Sequence, residues 1–298
     1  MLLSEAIAKF LLACRADGLA ARTVESYAYR LKRLEAGLGN MDLSNVSTDD
    51  LRAYAADLYN SDLSIHTIHG YIRALKRLFN WLASEGLLSD NPARRVRLPR
   101  LPTTAPKAVS LEDARRLLQA ARESGEEWEQ KRNVALLLFL LDTGCRLGGV
   151  VGLTLDDLDL ERRVARVQEK GGQWRFVFLS DTTVKALRTW IEARDRIAVD
   201  AGNALWVARG GRALTRYGVQ NMLKRLKKRA GIDGPAGAHS FRHRFAISYL
   251  TNGGDLASLA DLLGHKDIQT TKQYYARFER GELQRLHEMY SPVQQIKD

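Results

Sequence analysis

Residues 239–274 read His239-Ser-Phe-Arg242-His243 and then, after a helical stretch, Leu263-Gly264-His265-Lys-Asp-Ile-Gln-Thr-Thr-Lys-Gln-Tyr274. Three of the six histidines lie between His239 and His265, a density that asks for a chemical reason. His239 and Arg242, three residues apart, share one face of a helix. Phe241, Phe245 and Tyr249 recur every four residues and point into a core. Gly264 takes the place of a helix C-cap after 255–263, and Asp267 that of an N-cap for the helix carrying Tyr274. The spacing predicts a cationic cluster of His, Arg and His, with a phenol delivered from the next helix. Such a cluster suits a phosphate. A guanidinium binds two phosphate oxygens in a fork, and an imidazole donates hydrogen bonds or moves protons. A phenol serves as nucleophile where a base or a positive field assists it.

The rest of the chain divides by composition. With 298 residues, about two domains are expected, and 45% hydrophobic residues suffice for real cores. The net charge of +11 is unevenly spread. Residues 1–91 hold 10 Lys and Arg against 11 Asp and Glu, residues 92–107 hold 5 against none, and residues 108–298 hold 31 against 24. A polyanion partner gripped by the connector and the C-terminal part fits this distribution. Cys14 and Cys145 are the only cysteines and have no metal-ligand spacing, so reduced thiols in a cytoplasmic protein are expected. No signal peptide opens the chain, and no stretch approaches the ~20 apolar residues of a membrane span.

Residues 2–90 read as four amphipathic helices without strand signals, the third capped by Ser47 and the fourth opened by Ser64. Arg73, Lys76 and Arg77 lie on the fourth and are candidates for DNA contact. Four of the six prolines fall in 92–107, which makes this stretch a linker. Its Arg94, Arg95, Arg97 and Arg100 form a basic strap. From 108 the pattern becomes mixed. Ser110 caps a helix, residues 133–141 form a buried one, and 158–160, 164–168 and 175–179 alternate as short strands. Gly171-Gly172 turns the last two into a hairpin with Lys170 at its tip. A helix follows over 181–197. The run 209–231 carries Arg212, Arg216, Lys224, Lys227 and Lys228 with no acidic residue, and its helix over 215–229 needs a facing anion, for which DNA backbone is the natural candidate.

His-x-x-Arg, Leu-Gly-His and a Tyr nine residues past that His together resemble the signature of the tyrosine recombinases, the phage-integrase and Xer-type family. The resemblance spans nearly the whole chain. Thr143-Gly144-Cys145-Arg146 matches the family's T-G-x-R-x-S-E-L, with Gly148-Gly149 standing where Ser-Glu is usual. Relatives often have Gly-Lys-Gly where Glu169-Lys170-Gly171 stands, and a His where Ala276 stands.

The resemblance implies a mainly α fold with a small antiparallel β-sheet, arranged as a two-domain DNA clamp. A helical core-binding domain at 1–91 and a basic linker at 92–107 would precede a mixed α+β catalytic domain at 108–298. It assigns catalysis to Arg146, Lys170, His239, Arg242, His265 and Tyr274, with Tyr275 a rival to Tyr274 by adjacency, and implies neither metal nor cofactor. Leu283, Leu286 and Met289 form an apolar stripe on the last helix, which in the family often docks on a neighbouring protomer.

The expected partner is double-stranded DNA with paired inverted half-sites. A homo-tetramer is expected on DNA, a monomer or weak oligomer off it, and no membrane contact. The reaction implied is site-specific strand exchange through a 3′-phosphotyrosine and a Holliday junction, in the nucleoid. The chain begins directly with the first helical domain, which favours a simple resolver or compact integrase. Two rivals stay open: relaxation of DNA in the manner of a type IB topoisomerase, and a DNA-binding regulator that has lost catalysis.

Overall fold

The computed structural model describes residues 1–102, 107–169 and 172–264. The chain divides into two compact units, Met1–Thr103 and Thr104–Asp298.

The first unit is built of α1 (Leu3–Ala16), α2 (Ala21–Leu38), α3 (Thr48–Tyr59) and α4 (Ile65–Ser84). The Ser47 hydroxyl accepts from the Asp50 amide at 3.1 Å, and the Asp50 carboxylate returns to the Ser47 amide at 2.9 Å, so two orphan donors of α3 are satisfied. Ser64 caps α4 through the Thr67 amide. One stripe of α4, including Ile72, Leu75, Phe79 and Leu82, is wholly buried against the other three helices. Each such side chain contributes about 1.5–3 kcal/mol on burial. The core does not stop at the linker boundary expected at 91. Ala93 and Val96 belong to it, while Arg94, Arg95, Arg97 and Arg100 point to solvent. The unit therefore includes the first part of the basic strap.

The second unit centres on α6 (Glu127–Thr143), which packs against α5 (Leu111–Arg122), α8 (Asp181–Arg194) and α10 (Ala238–Thr251). Its Leu136, Leu137, Phe139 and Leu140 are buried, as the apolar run predicts. A short helix, α7 (Leu147–Val151), follows directly. Beside it stands a three-stranded antiparallel sheet in the order β1 (Leu158–Asp159), β2 (Val164–Gln168), β3 (Trp174–Phe178), with Gln168 opposite Trp174. On β3, one of the two edge strands among the described residues, Trp174, Phe176 and Phe178 face outward, and the Arg166 guanidinium lies 4.6 Å from the Trp174 ring centre.

The segment 205–207 is buried and bridged, through Val207, to Ala213. α9 (Arg216–Arg229) starts at the Thr215 cap. α11 (Leu256–Leu263) starts at Asp255 and ends at Gly264 in the left-handed region, as read from the sequence. No helix among the described residues is long and apolar enough to cross a membrane.

Candidate active site

Four backbone segments converge through side chains donating to carbonyls. α6 ends at Gly144, whose φ of 57° is left-handed, and the chain turns straight into α7 with Arg146 as its N-cap residue. Arg242, on α10, is only 4% exposed. Its Nη1 donates to the Gly144 carbonyl at 2.8 Å and its Nη2 to the Leu263 carbonyl at 2.7 Å. One guanidinium thus ties the turn before Arg146 to the end of α11, two residues ahead of His265. Phe245, one turn further along α10, packs on Gly144. His239 is exposed on the first turn of the same helix.

The fourth segment is the β2–β3 hairpin. The Glu169 amide donates to the Gln173 carbonyl at 2.7 Å, and Gly172 at φ 78° closes the turn onto the Glu169 carbonyl at 3.2 Å. The Glu169 side chain, 8% exposed, accepts from Arg146 Nη1 at 2.5 Å and from Arg175 Nε at 3.1 Å. Burial alone would raise its pKa, but the two guanidinium groups outweigh that and hold it below the usual range for a glutamate. Arg175 continues the chain of contacts. Its Nη1 donates to the Leu262 carbonyl at 2.5 Å and its Nη2 to Cys145 Sγ at 3.5 Å. Burial pushes the Cys145 thiol up, so this sulfur acts as a neutral acceptor beside Arg146.

Arg146 keeps one third of its side chain exposed, and its Nε and Nη2 have no acceptor among the described residues. The arrangement presents a guanidinium edge to solvent from a rigid mount. Arg146, His239 and Arg242 are thereby placed on one scaffold. Lys170, His265 and Tyr274, together with Asp267, Tyr275, Ala276 and the stripe from Leu283 to Met289, lie outside the described residues. Among the described residues no three His, Cys, Asp or Glu side chains gather as a metal-ligand set.

The basic surface candidates separate into groups. Arg73, Arg77, Arg216, Lys224 and Lys228 are exposed, as are the four strap arginines. Lys76 is not placed as a DNA contact: its Nζ donates to the Ala93 and Val96 carbonyls at 2.8 and 2.7 Å, so it fastens the strap to α4. Burial accordingly lowers its pKa. The run 209–231 also finds acceptors within the protein. Arg209 pairs with Glu126 at 2.7 Å and Arg212 with Asp200 at 3.6 Å, while Lys227 donates to the Asp233 carbonyl at 3.1 Å. The basic last turn of α9 suits a helix C-terminus without any DNA. Arg216 fills the space over Gly148, where a Cβ would come 2.5 Å from its Nη2.

Sequence reasoning missed Glu169 and Arg175 as site residues. The signal was available, since an acidic residue at the hairpin's end departs from the family pattern. Arg30 and Arg33 of α2 pack against α4, at Gly70 and over the Tyr71 ring.

The phage integrase family model matches residues 107–280, and the N-terminal SAM-like domain of phage integrases matches residues 7–86. Tyrosine recombinase XerC of Alcanivorax borkumensis is 32% identical over 257 residues, covering 86% of this chain and 83% of that protein. Tyrosine recombinase XerD of Listeria innocua is 30% identical over 285 residues, covering 92% and 94%. Among solved structures, the Tn1549 transposon integrase in complex with a circular intermediate DNA superposes with a TM-score of 0.78 at 22% identity, over 98% of this chain and 100% of that one. The XerH recombinase bound to a palindromic difH substrate gives 0.74 at 22% identity, over 97% and 85%. These two share the fold, and the family models and the Xer relatives carry the assignment further: the chain belongs to the phage integrase family, the tyrosine recombinases.

Proposed function

We propose that this chain is a site-specific DNA recombinase whose nucleophile is Tyr274. The Tyr274 oxygen attacks a backbone phosphorus, the bond to the 5′-oxygen breaks, and a 3′-phosphotyrosine and a 5′-hydroxyl result. His239 takes the phenol proton and Lys170 gives a proton to the leaving 5′-oxygen. Arg146 and Arg242 stabilise the charge of the pentavalent phosphorane, and His265 donates to a phosphoryl oxygen. The phosphotyrosine conserves the energy of the phosphodiester, so rejoining to a second strand needs no nucleotide. Two duplexes with paired inverted half-sites are exchanged in a tetramer through a Holliday junction, and the protein works where the chromosome is, in the cytoplasm and at the nucleoid. The observation that carries this reading is the mounted, one-third-exposed Arg146, which follows a turn whose Gly144 carbonyl is held by Arg242 together with the Leu263 carbonyl.

The test is covalent capture. Purified protein in EDTA, without nucleotide, is mixed with a nicked duplex selected from a randomised library for tight binding, and denatured adducts are counted. Tyr274→Phe abolishes the adduct and leaves DNA affinity nearly intact. Adduct formation at the wild-type rate by this variant, or loss only in Tyr275→Phe, overturns the assignment. An absolute requirement for divalent metal overturns the mechanism.

A further inference from the structure

We infer that Glu169 is a positioning residue for Arg146, supplying from the hairpin a carboxylate that α7 lacks. The inference deepens the catalytic reading above and rests on it. The first observation is the contact itself. Glu169 reaches Arg146 Nη1 at 2.5 Å from a place 8% exposed, where few waters compete. The second is that Glu169 is itself fixed. Arg175 holds its other oxygen at 3.1 Å and is anchored on the Leu262 carbonyl. Gly264 permits this, since a Cβ there would lie 3.0 Å from Arg175 Cδ and 3.8 Å from Glu169 Cγ. The third is the geometry of the pair. Among the described residues only one Nη of Arg146 is taken, and the Nε–Nη2 edge is left for a two-point grip on a phosphate.

The fourth observation concerns place. Gly149 is buried on α7, and a Cβ built on it would lie 3.1 Å from the Gln168 carbonyl and 3.6 Å from Val167 Cβ. Positions 149 and 167–168 are therefore neighbours across the contact between α7 and β2, one residue before Glu169. The two departures from the family pattern, a missing carboxylate at 149 and an extra one at 169, thus fall in adjoining segments, with the residue before Glu169 packed on Gly149. A carboxylate at 169 enters Arg146's surroundings from the opposite wall, and a glycine at 149 lets that wall approach closely. Glu169 also immediately precedes Lys170 in the sequence.

The prediction is a charge-specific defect. Glu169→Gln keeps the shape of the side chain and removes its charge. On the nicked selected duplex, single-turnover adduct formation slows by about 10- to 100-fold, the range for loss of orientation at a reacting centre. The same duplex with a methylphosphonate at the scissile position carries no phosphate charge, so it depends little on how Arg146 is held. On it, Glu169→Gln should cleave within about 3-fold of wild type, and Arg146→Ala should show the same split, since both act on one interaction. Should Glu169→Gln not fold, Glu169→Asp on the same two substrates reads the same split, because the shorter arm loosens the contact with Arg146 while keeping the negative charge in place. Equal slowing on both substrates means a merely structural role and overturns the inference, as does no slowing on either. Absence of any adduct from the wild-type chain overturns the catalytic reading instead, and the inference falls with it.

Discussion

At the scale of single residues, Lys76 and Arg73 stand three positions apart on α4 and do different work. Arg73 points to solvent, whereas the Lys76 ammonium donates to two carbonyls of the strap. Removing such a donor leaves acceptors unsatisfied, at about 1–3 kcal/mol. Lys76→Met, which keeps the aliphatic stem, should therefore lower the thermal midpoint of the full chain. Arg73→Gln should leave the midpoint unchanged and weaken DNA binding. Calorimetry and a binding titration on the two variants separate these roles, and an unchanged midpoint for Lys76→Met removes the fastening role. Nothing in the sequence distinguished the two residues, because helical spacing tells which side chains share a face but not what covers it. Arg242 is a similar case. Its spacing from His239 was legible, but its bonds to carbonyls 98 and 21 residues away in sequence were not.

At the scale of elements, helices with strong caps and long apolar stripes were readable: Ser47, Ser64 and Ser110 each cap at the N-terminus, and Gly264 at the C-terminus, where the sequence places them. What escaped were contacts made between elements. Arg132 sits just before the apolar run of α6 and is buried, because it donates to the Val207 carbonyl at 2.8 Å and to Asn133 at 2.9 Å. Glu169 escaped for the same reason, its partners being on α7 and β3. Gly144 joins two such elements. Its φ is 57°, and a Cβ there would lie 2.7 Å from Phe245 Cδ1 and 3.1 Å from Leu263 Cδ2. Gly144→Ala combines left-handed strain of about 1–2 kcal/mol with overpacking of about 1–3 kcal/mol. Gly86→Ala, at φ 70° with nothing within 4 Å, carries the strain alone. The expected result is a clearly larger drop in thermal midpoint for Gly144→Ala, together with loss of adduct formation although no catalytic group is altered. Equal midpoints for the two variants mean that the Phe245 and Leu263 contacts yield at no cost.

At the scale of the whole molecule, the question is where the attraction for DNA resides. Residues 1–91 are nearly balanced in charge, with 10 basic against 11 acidic residues, so bulk attraction there is weak. The strap changes this for the first unit. Ala93 and Val96 are held in its core and Lys76 grips their carbonyls, while Arg94, Arg95, Arg97 and Arg100 all face solvent. Anchoring two residues three apart in a short basic segment fixes the direction of its arginines before any DNA arrives, which lowers the ordering cost of binding. The α9 run differs, because part of its charge is already neutralised by Glu126 and Asp200. Each phosphate contact releases counterions and steepens the fall of log K with log salt by about 0.9. Replacing the four strap arginines together by Gln should flatten that slope by up to about 3.6 if all four reach phosphates. Replacing them by Lys should preserve most of the slope, since counterion release follows charge and not side-chain shape. Arg212→Gln should change the slope little. Anisotropy titrations on the selected duplex over roughly 50–200 mM salt give these slopes directly. An unchanged slope in the fourfold Gln variant makes the strap a solvated tether, and the first unit would then have to hold DNA through Arg73, Arg77 and the α2 arginines alone.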